Sequence, residues 1–268
     1  MGAPSYVPGT PRLAYEAIGT GPTVVFMHGI GGNRTNWREQ LDALAPEFRA
    51  VAWDARGYGD SDDYEAALAF PDFAADLLRL LDHLGVAQAH LVGLSMGGRI
   101  AMDFYEAHPR RVASLVLCDT FPGYDASITE EQREKFIASR RKPLVEDGKE
   151  PRDIAPLVAP TLLGKNAAPA ALQRLIDSMA MLHKESYIKA IEAMTRYEPV
   201  ARLGEFRVPT LVVCGEEDRL TPPAIARDMV ARIPDARLAI LERAGHLSNI
   251  EQPLAFNAVL LDFLRRQR

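Results

Sequence analysis

Short apolar runs recur along this chain at 23–27, 50–53, 90–92, 112–117, 210–214 and 237–241, and helix-patterned segments separate most of them. Runs this brief and this continuous read as strands buried on both faces, because a strand with one wet face alternates polar and apolar residues. Between them, Asp72 to Leu84 places Phe73, Leu77, Leu80, Leu81 and Leu84 on one helical face, and Pro71 marks its start. Asn36 is read as the cap of a helix through Trp37, Leu41 and Leu44. Further helices are expected after residue 95, over Pro223–Ile233, and from about Ser248 to Arg266. Arg12–Ile18, closed by Gly19-Thr20-Gly21-Pro22, reads as an edge strand entering a hairpin. Strands alternating with helices predict a mostly parallel, twisted sheet covered on both faces.

The alternation stops between about Phe121 and Leu203. There the patterns are helical only (Glu130–Arg141, Ala170–His183, Ser186–Tyr197), divided by Pro143, Pro151, Pro156, Pro160 and Pro169. The expected organisation is a core domain of residues 1–120 and 204–268 with a helical cap, 121–203, inserted into it. A chain of 268 residues, 47% hydrophobic, suffices for one large core. Thirty-one basic residues against 36 acidic ones, a net charge of −5, argue against nucleic acid or an anionic membrane as partner. No apolar run has transmembrane length, and Met1-Gly2-Ala3-Pro4-Ser5-Tyr6 lacks a signal-peptide pattern, so a cytoplasmic protein is expected. Cys118 and Cys214 are read as buried thiols.

Parallel sheets gather functional groups at the carboxyl ends of their strands. Here those positions hold His28, Asp54, Ser95, Asp119, Asp218 and His246. Ser95 sits in Gly93-Leu94-Ser95-Met96-Gly97-Gly98, between a strand and a helix. A turn that lifts a serine oxygen clear of the sheet leaves no room for side chains on either side of it. A serine hydroxyl needs a base, and the base needs an orienting acid. His246 follows the strand at 237, and Asp218 closes Gly215-Glu216-Glu217-Asp218 after the strand at 210. Asp119 is the rival acid; Asp218 is preferred for its Gly-x-x-Asp loop, whereas Asp119 could cap local backbone. His28 and the Asp54-x-Arg56-Gly57 loop are read as structural. His83, His90, His108 and His183 show no metal-ligand spacing, and no phosphate-binding glycine motif follows the first strand, so neither metal nor cofactor is expected.

With His28-Gly29-Ile30-Gly31-Gly32, the serine motif, Gly-x-x-Asp at 215–218 and Gly-His at 245–246 in this order, the chain resembles α/β-hydrolase-fold serine hydrolases over nearly its whole length. Within them, Asn249-Ile250-Glu251-Gln252-Pro253 after His246, the Gly-Leu-Ser-Met-Gly-Gly turn and the helical segment resemble the carboxylesterase and 3-oxoadipate enol-lactonase branch. The resemblance implies an α/β-hydrolase sheet with its cap inserted after the sixth strand, Ser95 as nucleophile, His246 as base and Asp218 as acid. It places the oxyanion on the backbone N–H groups of Ile30 and Met96. Relatives that are haloalkane dehalogenases or epoxide hydrolases carry aspartate where this chain has Ser95. The expected partner is therefore a small-molecule ester or lactone substrate, with a homodimer left open. Alternatives are an enol-lactonase-type reaction, C–C cleavage of a vinylogous diketone by the same residues, perhydrolase-like activity, and a receptor of the same fold. Arg140, Arg141, Lys165, Arg174 and Arg196 are candidates for holding a substrate carboxylate. Leu175, Met179, Met181, Leu182, Ile188, Ile191 and Met194 are candidates for an apolar acyl pocket.

Overall fold

The computed structural model describes residues 3–123, 128–197 and 201–267. Its sheet comprises β1 (Ser5–Val7), β2 (Leu13–Ile18), β3 (Thr23–Met27), β4 (Arg49–Trp53), β5 (Ala89–Leu94), β6 (Val112–Cys118), β7 (Thr210–Gly215) and β8 (Ala236–Leu241). The spatial order is β1-β2-β4-β3-β5-β6-β7-β8, with β2 antiparallel to both neighbours and every later pairing parallel. β3 and β5 are buried along their whole length, and each valine, leucine or phenylalanine so buried stabilises the fold by about 1.5–3 kcal/mol. The strand order reverses where β3 meets β5, with Met27 level with Gly93. In such sheets a ligand crevice opens at the carboxyl ends of the two strands flanking the reversal. The loops at residue 28 and at Ser95 leave from there.

The helices are α1 (Arg38–Leu44), α2 (Pro71–His83), α3 (Met96–Ala107), α4 (Glu130–Val145), α5 (Pro151–Leu162), α6 (Pro169–Ala180), α7 (Lys184–Arg196), α8 (Pro223–Arg232), α9 (Ser248–Glu251) and α10 (Pro253–Arg265). Among the described residues, α4 to α7 fill the sequence between β6 and β7, and no helix is long and apolar enough to cross a membrane. Cys118 and Cys214 are buried and unbridged.

Several local expectations are corrected. Arg12–Ile18 is not the edge: β1 covers β2, and β2 pairs with β4 rather than in a hairpin with β3. Asn36 does not cap the helix. Asn33 does, opening a 3-10 turn over Arg34–Trp37, and Asn36 completes the box by accepting from the Asn33 N–H. Pro156 and Pro160 do not break the chain but lie within α5. Spaced four apart, both occupy its exposed face, while Ile154, Ala155 and Ala159 bury the other face. The closing helix is divided: Gln252 leaves helical geometry and Pro253 starts α10.

Candidate active site

Ser95 is the N-cap of α3, at φ 53° and ψ −113°. A non-glycine residue at positive φ costs on the order of 1–3 kcal/mol and persists only where its surroundings over-determine it. Here they do. The Ser95 N–H donates to Cys118 O at 2.9 Å, and Ser95 O accepts from Gly98 N–H (3.0 Å), Arg99 N–H (3.2 Å) and the Thr120 hydroxyl (2.7 Å). The glycines permit the approach. A Cβ on Gly97 would collide with the Met27 and His28 carbonyls, and one on Gly93 with the Gly97 and Gly98 backbone. Gly97→Ala is expected to destabilise the protein by about 3 kcal/mol, since the Met27 and His28 carbonyls are backbone and cannot rotate aside; urea unfolding measures it.

Facing Ser95 is the loop after β3. Gly29 is packed so closely that a Cβ there would crowd Leu94 and the Ser95 side chain. Both ring nitrogens of His28 are engaged by backbone. Its Nε2 accepts from Ala55 N–H at 3.1 Å, which assigns the proton to Nδ1, 2.8 Å from Gly29 O. Burial lowers its pKa and keeps it neutral. Asp54 is tied to Arg34 and accepts from the Arg34 and Asp60 N–H groups, holding its loop. Met96 is the first residue of α3, so its N–H has no acceptor within the helix.

At the ends of β7 and β8 the structure brings Asp218 and His246 together. His246 Nδ1 lies 2.9 Å from Asp218 Oδ2, and both residues are buried. Asp218 also accepts from Leu220 N–H (2.8 Å), Thr221 N–H (3.0 Å) and the Thr221 hydroxyl (2.6 Å). Burial pushes the Asp218 carboxyl up, but the hydrogen bond and charge of His246 and the Thr221 donors bring it below the usual range. Burial lowers His246, yet the bond and charge of Asp218, with Asp119 and Glu251 behind, raise it on balance. With Nδ1 bonded to a carboxylate, Nε2 is the nitrogen left to take up a proton.

Asp119 stands one layer back. Strained at φ 45°, it accepts from Gly215 N–H at 2.8 Å and from the Ser248 N–H and hydroxyl, and so ties β6 to the turns that carry Asp218 and His246. Burial and the charge of Asp218 push it up to about 7. Among the described residues it has no hydrogen bond to His246. Asp119, Cys214 and Asp218 are the one described group whose ligand atoms lie close enough for a metal ion, within 4.8 Å of one another. Their atoms already serve Gly215, Ser248, Thr221 and His246, and burial holds the Cys214 thiol protonated.

Three supporting residues escape sequence reading: Thr120, Thr221 and Glu251. An aspartate accepting from the second and third N–H after it is a recognised turn pattern, so Asp218-x-x-Thr221 carries a weak signal. Glu251 lies in a stretch that contributes to the family resemblance, but nothing in the sequence assigns its carboxylate a role. Its carboxylate accepts from Gly245 N–H (2.9 Å) and Leu247 N–H (3.3 Å), on either side of His246, and from Gly164 N–H (2.7 Å) beyond α5. Glu251→Gln would set an NH2 against one of these donors, so a loss of about 2 kcal/mol and a melting point about 5 °C lower are expected. As a positioning change it should also lower kcat with little change in KM.

Ser95 lines two adjacent lobes, whose walls also share Ile30, Gly31, Leu162 and Leu220. The small one, about 60 Å³, holds His246, Gly29 and Leu247; the larger, about 340 Å³, runs under α4 to α7 past Phe136, Met179, Tyr187, Ile191 and Met194. Of the apolar candidates, Met179, Ile191 and Met194 line the larger lobe and Leu175 the small one, whereas Met181 is exposed and Leu182 and Ile188 line neither. Among the basic candidates Arg141 is paired with Glu192, Arg174 with Glu39, and Arg196 with Glu130 and Glu134. Lys165 lines neither lobe; Arg140 lines the larger one.

This fold and crevice define a class. A family model described as alpha/beta hydrolase fold matches residues 22–253, and the chain belongs to that family. It is 32% identical to a 2-hydroxy-6-oxononadienedioate/2-hydroxy-6-oxononatrienedioate hydrolase of Burkholderia vietnamiensis, covering 95% of this chain and 91% of that one. Its structure is similar to a thermophilic esterase from Thermogutta terrifontis with malate bound (TM-score 0.89, 30% identity, 99% of each chain). It is similar also to the enol-lactonase from Burkholderia xenovorans (TM-score 0.86, 28% identity, 97% of this chain and 100% of that one).

Proposed function

We propose that this hydrolase cleaves small carboxylic esters or lactones through an acyl-enzyme on Ser95. The observation that carries the reading is His246, bonded through Nδ1 to buried Asp218, in a lobe that Ser95 also lines. In this scheme neutral His246 takes the Ser95 proton as the oxygen attacks the acyl carbonyl. The Ile30 and Met96 N–H groups hold the tetrahedral oxyanion. The imidazolium then gives its proton to the departing alcohol. A water molecule, deprotonated by the same imidazole, attacks the ester carbonyl, releasing the acid and restoring Ser95. Asp218 keeps the imidazole in the required tautomer, and residues 121–203 act as a cap over the acyl chain. The printed activities of the Thermogutta and Burkholderia xenovorans neighbours, esterase and enol-lactonase, support this reading.

Similarity to the 2-hydroxy-6-oxononadienedioate hydrolase favours a second reading, hydrolysis of a C–C bond in a vinylogous diketone. Purified protein offered graded 4-nitrophenyl esters, lactones and a vinylogous 1,5-diketone separates the two. Higher kcat/KM on esters or lactones is expected. The reverse ranking installs the second reading, and turnover of none of them leaves a receptor of this fold.

A further inference from the structure

We infer that the acyl chain taken by this enzyme ends in a carboxylate read by Arg140; the inference rests on the hydrolase reading above. The two lobes divide the substrate. His246 must reach the leaving oxygen to protonate it, and it lines the small lobe and not the larger. The alcohol side therefore occupies the small lobe and the acyl chain the larger. Among the described residues, neither lobe is lined by aspartate or glutamate, and Arg140 is the one lysine or arginine lining either.

Arg140 also differs from its neighbours in what it touches. Arg141, Arg174 and Arg196 are each committed to a glutamate. Arg140 is paired with no described carboxylate; its guanidinium lies over the ring of Phe136, 5.2 Å from the centroid, and Phe136 lines the same lobe. An arginine whose charge sits over an aromatic ring still has N–H groups for a ligand, and its planar fork matches a carboxylate with two parallel hydrogen bonds. Because Arg140 is exposed, the anion it holds stays at the water-facing rim. Desolvation of the charge there is small, while the methylenes behind it have an apolar lining that includes Ile191 and Met194. A neutral chain of equal length fills the lobe and leaves the guanidinium without a partner.

The test uses paired 4-nitrophenyl esters of succinic, glutaric, adipic and pimelic acids, with the far carboxyl either free or capped as its methyl ester. At the best chain length the free-acid ester should have the higher kcat/KM, and Arg140→Gln should reduce the free-to-capped ratio about tenfold. Arg140→Glu should reduce it further, and Arg141→Gln, which alters a paired neighbour, should leave it in place. A wild-type ratio at or below one, or a ratio that Arg140→Gln does not move, overturns the inference. Calorimetric titration of the four dicarboxylates into Ser95→Ala, with and without Arg140→Gln, separates the two claims. If no ester is turned over but a dicarboxylate binds in an Arg140-dependent way, the hydrolase reading fails and the anion site stands. If no ester is turned over and no dicarboxylate binding depends on Arg140, both fail.

Discussion

Ser95→Ala is expected to lower kcat/KM for 4-nitrophenyl butyrate by about 10⁵-fold while the protein stays folded. The size follows from removing the atom that carries the acyl group; residual turnover then comes from the N–H groups and binding alone, as when a serine protease loses its nucleophile. The fold should survive because the Ser95 side chain makes no cap hydrogen bond to α3. Its backbone is held by hydrogen bonds with Cys118, Gly98, Arg99 and Thr120 that use the Ser95 N–H and carbonyl, not the deleted oxygen. Steady-state kinetics and a urea titration on the same preparation check both halves. A variant that is folded and retains a tenth of the activity would remove Ser95 from the chemistry.

The second large effect distinguishes two buried acids that both end neighbouring strands. Asp218→Asn should reduce kcat about 10⁴-fold, because an amide at that position favours the imidazole tautomer that cannot receive the serine proton. Asp119→Asn should cost about tenfold or less, since Asp119 acts on His246 only through Gly215 and Ser248 and through its charge. The pH profile gives an independent readout. His246 must be neutral to act as base, and its pKa is raised by Asp218, so activity falls as pH drops through that raised value. Removing the Asp218 charge lowers the pKa, so the acid limb of the residual activity should move to lower pH. If Asp119→Asn were the more damaging variant and moved the limb further, the two acids would exchange roles.

The residues most legible in the sequence are those whose neighbours have no freedom. Ser95 was readable because Gly93 and Gly97 leave room for nothing larger, and His246 and Asp218 because short buried strands announce their own ends. The parallel core was readable for the same reason, as β3, β5, β6 and β7 are continuous apolar runs. What escaped depends on distant partners. β1 has three residues and exists through pairing with β2. The prolines of α5 signal a break, and only packing of Ile154, Ala155 and Ala159 overrides it. The role of Glu251 is set by three backbone N–H groups that converge on it, one of them from Gly164 just after α5. Arg140 and Arg141 are adjacent and chemically alike. Only the directions they take from α4, about 100° apart, set one in the cavity lining and the other against Glu192.

The central claim is that position 95 carries a hydroxyl made nucleophilic by its imidazole neighbour. Phosphonylation tests it most directly: the folded protein is treated with a fluorophosphonate, its intact mass is measured, and the modified peptide is mapped. The account predicts a single adduct with loss of fluoride, on Ser95, absent from Ser95→Ala and strongly slowed in His246→Ala. An unmodified protein, or an adduct that forms equally in Ser95→Ala, would contradict it.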